Sequence, residues 1–133
     1  MFYVKLYLLM VPVFFAVDML WLGYVARGFY RDNLAAFLAP DVNWPAAFIF
    51  YLLYIVGIMI FAVLPALDKG LFSRALILGA LFGFFTYATY DLTNLATLSN
   101  WPIKVVIVDI IWGAVLCTLV SAAGFKLGSW LTG

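Results

Sequence analysis

Four long apolar runs dominate the chain, over about residues 2–26, 45–67, 75–98 and 102–124. An α-helix rises about 1.5 Å per residue, so about 20 residues cross the roughly 30 Å hydrocarbon core of a bilayer. The runs are continuous rather than alternating, which argues against the roughly ten-residue strands of a membrane β-barrel. The chain is 68% hydrophobic and 10% charged, against about 25% charged in soluble domains. A soluble fold of 133 residues has too little interior to hide that surface. The fold class that follows is all-α, an integral membrane four-helix bundle, with residues 1–133 as a single transmembrane domain.

The segments between the runs are short. Lys5 and the apolar stretch after it look like a secretory leader. No small-x-small site follows, however, and the run continues past Asp18 to Val25, so it reads as a retained first span. The segment after Arg27 is more polar. Within it, residues 32–39 suit a short helix lying in the interface, capped by Asp32 and stopped by Pro40. Asp68, Lys69, Gly70 and Arg74 make one polar turn, Ser99 and Asn100 another. Four spans put both termini on one side, together with Lys5, Lys69, Arg74 and Lys126; Arg27, Arg31 and Lys104 fall on the other. The excess of positive charge favours cytoplasmic termini.

Asn43-Trp44-Pro45 opens the second span and Asn100-Trp101-Pro102 the fourth, with Asp18 and Asp91 about two-thirds along the preceding spans. One reading is a pair of parallel-repeat helical hairpins, related by an axis along the membrane normal. The other is a shared way of starting a membrane helix, since proline suits the first helical position and tryptophan the headgroup level.

Several functions are excluded or disfavoured by composition. Lys+Arg 7 against Asp+Glu 6 leaves no basic patch for nucleic acid. The single cysteine, Cys117, forbids an intramolecular disulfide and reads as a small packing residue; with no histidine, thiolate or imidazole metal sites within one chain are excluded too. There is no P-loop, no Gly-x-Ser-x-Gly, no metal-binding helix and no dinucleotide fingerprint. The sequence names no cofactor.

Three aspartates lie inside the spans. Counted along the helix from one membrane face, Asp18 and Asp91 lie roughly 13 Å deep and Asp109 roughly 10 Å. Tyr51 and Tyr54 reach the matching depth on the second span. An aspartate at the centre of a membrane helix costs about 3 kcal/mol, so all three are expected to face inward and find partners. The spacing of three offers Trp21 to Asp18, Asn94 to Asp91 and Trp112 to Asp109. Tyr87, one turn before Asp91, is a further candidate. Three carboxylates in one low-dielectric layer cannot all be ionised cheaply, so at least one is expected to carry a proton near neutral pH. This layer is either a ligand or ion site, or neutral hydrogen-bonding glue between helices. Lys104 is expected to snorkel outward.

Aromatic residues make up 20% of the chain. Tyr3, Tyr7, Trp21, Tyr24, Tyr30, Trp44, Trp101 and Trp130 suit interface belts or packing. Tyr51, Tyr54, Tyr87, Tyr90 and Trp112 lie deeper and suit either packing or a pocket for a flat or cationic ligand. Gly79 and Gly83 form a GxxxG face for a close helix contact, within the bundle or between subunits.

Three stretches taken together carry a resemblance. They are Val17-Asp18-Met19-Leu20-Trp21-Leu22-Gly23, Val108-Asp109-Ile110-Ile111-Trp112-Gly113 and, most specifically, the run from Tyr90-Asp91-Leu92-Thr93-Asn94 to Trp101-Pro102. With them the whole chain resembles a bacterial family of four-helix inner-membrane proteins, catalogued as a domain of unknown function. The resemblance implies a bacterial inner-membrane location and four spans, and transfers no catalytic residue. The small multidrug transporters are a weaker likeness: they use an intramembrane glutamate on the first span, where Asp18 is the nearest equivalent, and the two further acids depart from that pattern. The leading functional expectation is a binder or transporter of a cation, a proton or a polar-headgroup ligand. An accessory subunit of a larger membrane complex and a lipid-directed enzyme are the alternatives. Membrane lipids are the expected partners, with other subunits or further copies of the chain also allowed.

The four-span reading has a direct check. Reporters fused at residue 133 and near Lys69 should register the same side of the membrane, and one near Asp32 the opposite side. Agreement between the Asp32 and Lys69 sites would refute four spans.

Overall fold

The computed structural model describes residues 1–133 and contains no strand. Helix α1 (Phe2–Leu20) continues through a π-helical turn, Trp21–Val25, and after Ala26 the chain re-enters helix as α2 (Arg27–Leu34). Helix α3 (Trp44–Ile58) passes through a second π turn, Met59–Val63, into α4 (Leu64–Lys69). Helices α5 (Phe72–Thr97) and α6 (Ile103–Thr132) complete the chain. Four helical stretches are long and apolar enough to cross a membrane: Phe2–Val25, Trp44–Lys69, Phe72–Thr97 and Ile103–Thr132.

Local chemistry explains the breaks. The ring of Pro65 cannot donate a hydrogen bond and would collide with the carbonyl one turn back, and the π turn just before it widens the helix at that point. Gly70 ends α4 in the left-handed region (φ 67°). Its N–H donates to the Leu67 carbonyl and that of Leu71 to Ala66, so the freed carbonyls between two spans are taken up by a Schellman motif. Helix α2 starts earlier than the segment 32–39 read from the sequence, and no side chain caps it. Ala26 donates to the Trp21 carbonyl and its own carbonyl accepts from Tyr30, so the helix restarts within one residue of the first span and needs no cap at Asp32.

The exterior is what a lipid-facing bundle requires. Leu53, Phe61, Phe85 and Ile111 are all exposed. On α5 the hydroxyls of Thr86, Thr89, Thr93 and Thr97 donate to carbonyls one turn back, which satisfies them where no water is present.

The tightest seam joins α5 to α6. A Cβ added to Gly83 would lie 1.9 Å from the Gly113 carbonyl oxygen, and one on Gly79 2.6 Å from the Cys117 carbonyl. The GxxxG face therefore makes a contact within the bundle, where the missing side chains let two backbones touch. Cys117 is fully buried in the main core with Leu6, Met10, Phe14, Ile55, Ile58 and Val120. By contrast α3 and α5 barely touch through their backbones, and α5 meets the second span mainly at the Met59–Val63 turn and α4. The second span and α5 are thus closed together at the Lys69 end and splayed toward the end that carries Trp44 and Asn100.

The two Asn-Trp-Pro triplets start their helices differently. Asn43 is an N-cap that accepts from the Ala46 N–H, and Trp44 is 58% exposed. Asn100 instead occupies the left-handed region (φ 64°), Pro102 caps α6, and Trp101 is buried. The first is a capping site, whereas the second is a tight turn that asparagine tolerates. The two triplets thus share a sequence but not a capping geometry.

The seam yields a stability prediction. Gly83→Ala should destabilise the protein by about 1–3 kcal/mol through overpacking, because backbone, not a flexible side chain, blocks the new methyl. Gly28→Ala, where nothing lies within 4 Å, is the control and should leave the unfolding midpoint in detergent unchanged or higher. Equal midpoints for the two variants would disprove the close contact.

Candidate functional site

A row of residues spaced by four on α1, Leu6, Met10 and Phe14, turns into the core and ends at Asp18. The buried face of α6 runs through Val105, Asp109, Gly113 and Leu116, and that of α5 through Gly79, Gly83 and Asp91. The small-residue seam therefore sets Asp91 beside Asp109. The side chains are 3% (Asp18), 0% (Asp91) and 7% (Asp109) exposed, so none of the three faces lipid. Lys104 is exposed, and no lysine or arginine bears on any of these carboxylates.

Their partners cross between helices, which corrects the pairing read from the spacing of three. Asp18 accepts from the indole of Trp112 on α6 (3.3 Å), not from Trp21. Asp109 accepts from the hydroxyl of Tyr30 on α2, not from Trp112. Trp21 in turn donates to the Tyr30 oxygen (3.1 Å). The two indoles stack with centroids 4.5 Å apart and planes 8° from parallel. The Trp112 N–H thus serves the acid of the first span, and the Trp21 N–H the phenol of α2, while the stacked rings pack against each other. Asn94, half-buried, lies beside Tyr90 rather than Asp91. Neither carboxylate oxygen of Asp91 has a hydrogen-bond partner, and the buried Trp101 indole N–H nearby also lacks one. Burial, together with the Asp109 carboxylate beside it, pushes the Tyr30 phenol above its ordinary range, so it stays protonated as the donor.

A cavity of about 510 Å³ occupies the splayed half of the bundle. Asp18, Asp109, Tyr51, Tyr54, Tyr87 and Trp112 line it, together with Leu22, Tyr30, Leu34, Phe50, Thr86 and Tyr90. Tyr51 also adjoins Asp18. The Tyr54 hydroxyl meets Thr86 Oγ1 at 2.7 Å and Cys117 Sγ at 3.1 Å. Of the residues singled out in the sequence, Asp91, Asn94 and Trp21 do not line the cavity. Asp91 lies behind Asp109, and Trp21 backs Trp112. The three aspartates do not assemble into a metal-ligating cluster.

Tyr30 is the main residue that sequence reasoning missed. It sat in a polar segment and read as an interface aromatic, yet it touches both Asp109 and Trp21. The available signal was its spacing of four from Leu34, which gives the short helix one apolar face. That face packs on Trp101, Val105 and Val106 at the start of α6.

The chain belongs to the family described as Predicted membrane protein (DUF2177), whose model matches residues 3–126. No curated protein and no solved structure matches it. Membership agrees with the resemblance read from the Asp18, Asp91 and Asp109 stretches. The protein is a four-helix membrane protein that sits in lipid.

The Tyr30 contacts should be measurable. Tyr30→Phe leaves a buried carboxylate and an indole without their shared partner, and should cost about 1–3 kcal/mol. Amide hydrogen exchange in α2 should accelerate with it. Unchanged exchange and an unchanged midpoint would show that the phenol does not hold α2 to the bundle.

Proposed function

We propose that this membrane protein binds, and carries across or within the bilayer, a ligand with a cationic head group that sits between Asp18 and Asp109. One observation carries the reading. A cavity of about 510 Å³ brings two buried carboxylates and several tyrosines to one space, with no lysine or arginine to neutralise them. Buried carboxylates need either a proton or a counter-charge. A cation from outside the chain supplies the second, and the tyrosine and Trp112 faces add cation–π attraction. The volume falls in the range of roughly 300–1,000 Å³ that suits small-molecule sites. Proton exchange at the same carboxylates fits transport, because proton and cation compete for one charge. The family resemblance and the charge bias further support a bacterial inner membrane with cytoplasmic termini.

A binding assay tests this. Dodecyltrimethylammonium should perturb the fluorescence of Trp112 and Trp21 in the purified protein, saturably. Asp18→Asn and Asp109→Asn should each remain folded and weaken that binding by roughly ten-fold or more, the equivalent of about 1.4 kcal/mol. Saturable binding that is indifferent to both substitutions would leave the aspartates as helix glue and sink the proposal.

A further inference from the structure

The walls of the cavity differ in what closes them. One end is covered by α2, the helix between the first two spans. Leu34 is buried there against Trp101, Val105 and Val106, and Tyr30 is tied to both Asp109 and Trp21. The floor is the side-chain bridge between Tyr54 and Thr86. One helical turn beyond that bridge, toward the splayed end, lie Phe50 on α3 and Tyr90 on α5. Both line the cavity, and at 54% and 53% they are the most exposed of its lining residues, ahead of Leu22 at 37%. The α3 and α5 backbones barely touch beside these two residues, so the gap between the two helices is the natural sideways way out of the cavity.

We infer that the ligand is a single-chain amphiphile with an alkylated ammonium head, held with its head at Asp18 and Asp109 and its chain leaving between Phe50 and Tyr90 into the bilayer. The inference rests on the cation-binding reading above and names the class of molecule that reading leaves open. The inner part of the cavity has the two carboxylates and the aromatic faces that alkylated ammonium groups prefer. The rim residues, Phe50 and Tyr90, are both aromatic and carry no charge. A chain that leaves there stays out of water, whereas a chain directed toward α2 would have to displace the buried Leu34 and Tyr30 contacts.

Two measurements separate this inference from the reading it builds on. The first compares dodecyltrimethylammonium with tetramethylammonium, which has the head group and no chain. The chain-bearing cation should bind at least about a hundred-fold tighter, because its chain leaves water on binding. The second uses dodecyltrimethylammonium with a photoactivatable diazirine at the chain terminus. Labelling should map to α3 and α5 around Phe50 and Tyr90, should be competed by the unlabelled cation, and should be lost in an Asp18→Asn/Asp109→Asn double variant that retains the wild-type circular dichroism spectrum. Equal binding of the two cations, or competed labelling that maps to α2 around Leu34, would overturn the lateral chain while leaving the cation site standing. If neither cation binds, the cation site and the inference fall together.

Discussion

The close approach of α5 to α6 determines much of the rest. Gly83 against the Gly113 carbonyl, and Gly79 against Cys117, bring two backbones into contact over several turns. Carried along the same faces, that contact presses Asp91 toward Asp109 and leaves no room for a side chain to separate them. In water such a juxtaposition would be relieved by solvation. In hydrocarbon each group must find its partner inside the chain, or remain without one. Asp109 finds Tyr30, and Asp91 finds none.

The same scarcity of partners explains why the first span does not end cleanly. The π turn at Trp21–Val25 and the restart at Ala26 keep α2 close to the bundle instead of releasing it along the interface. A short helix between the first two spans thus supplies a hydroxyl to a carboxylate of the fourth. The indoles of Trp21 and Trp112 complete the arrangement by stacking, which sends each N–H to another element. Asp18, Asp109, the two indoles and the phenol form one crossed network over α1, α2 and α6, not separate pairs within single helices.

Much of this was legible in the sequence, for identifiable reasons. Length and continuity of the apolar runs suffice for an all-α membrane bundle, because only helices of that length satisfy their own backbone in lipid. Spacing by four places Asp18 on the row of Leu6, Met10 and Phe14, and depth counting along the helices groups Asp18 and Asp109, though not Asp91, with Tyr51 and Tyr54 around one cavity. Partner choice was not legible. A spacing of three shows that Trp21 and Asp18 share a face, but ring orientation depends on what stacks against it, and Trp112 is 94 residues away from Asp18. The role of Tyr30 depends on a π turn that no local pattern announces. The Asn-Trp-Pro triplets show the same limit, since identical residues serve as a cap in one turn and a left-handed corner in the other.

Whether the buried acids are glue or a site turns on the shape of the space around them. Acids that only hold helices together are best surrounded by packed partners, since every void forfeits contacts and every unpaired polar atom costs free energy. The closed half of this bundle meets that description: Leu6, Met10, Ile58 and Val63 are fully buried and nothing polar is required of them. In the splayed half, Asp18 meets the Trp112 indole and adjoins Tyr51, and two carboxylates border an open volume with aromatic walls. The polar groups are thus concentrated where packing is poorest. That combination is the ground on which the proposed cation site rests: an external cation would need both the space and acids that no lysine or arginine neutralises.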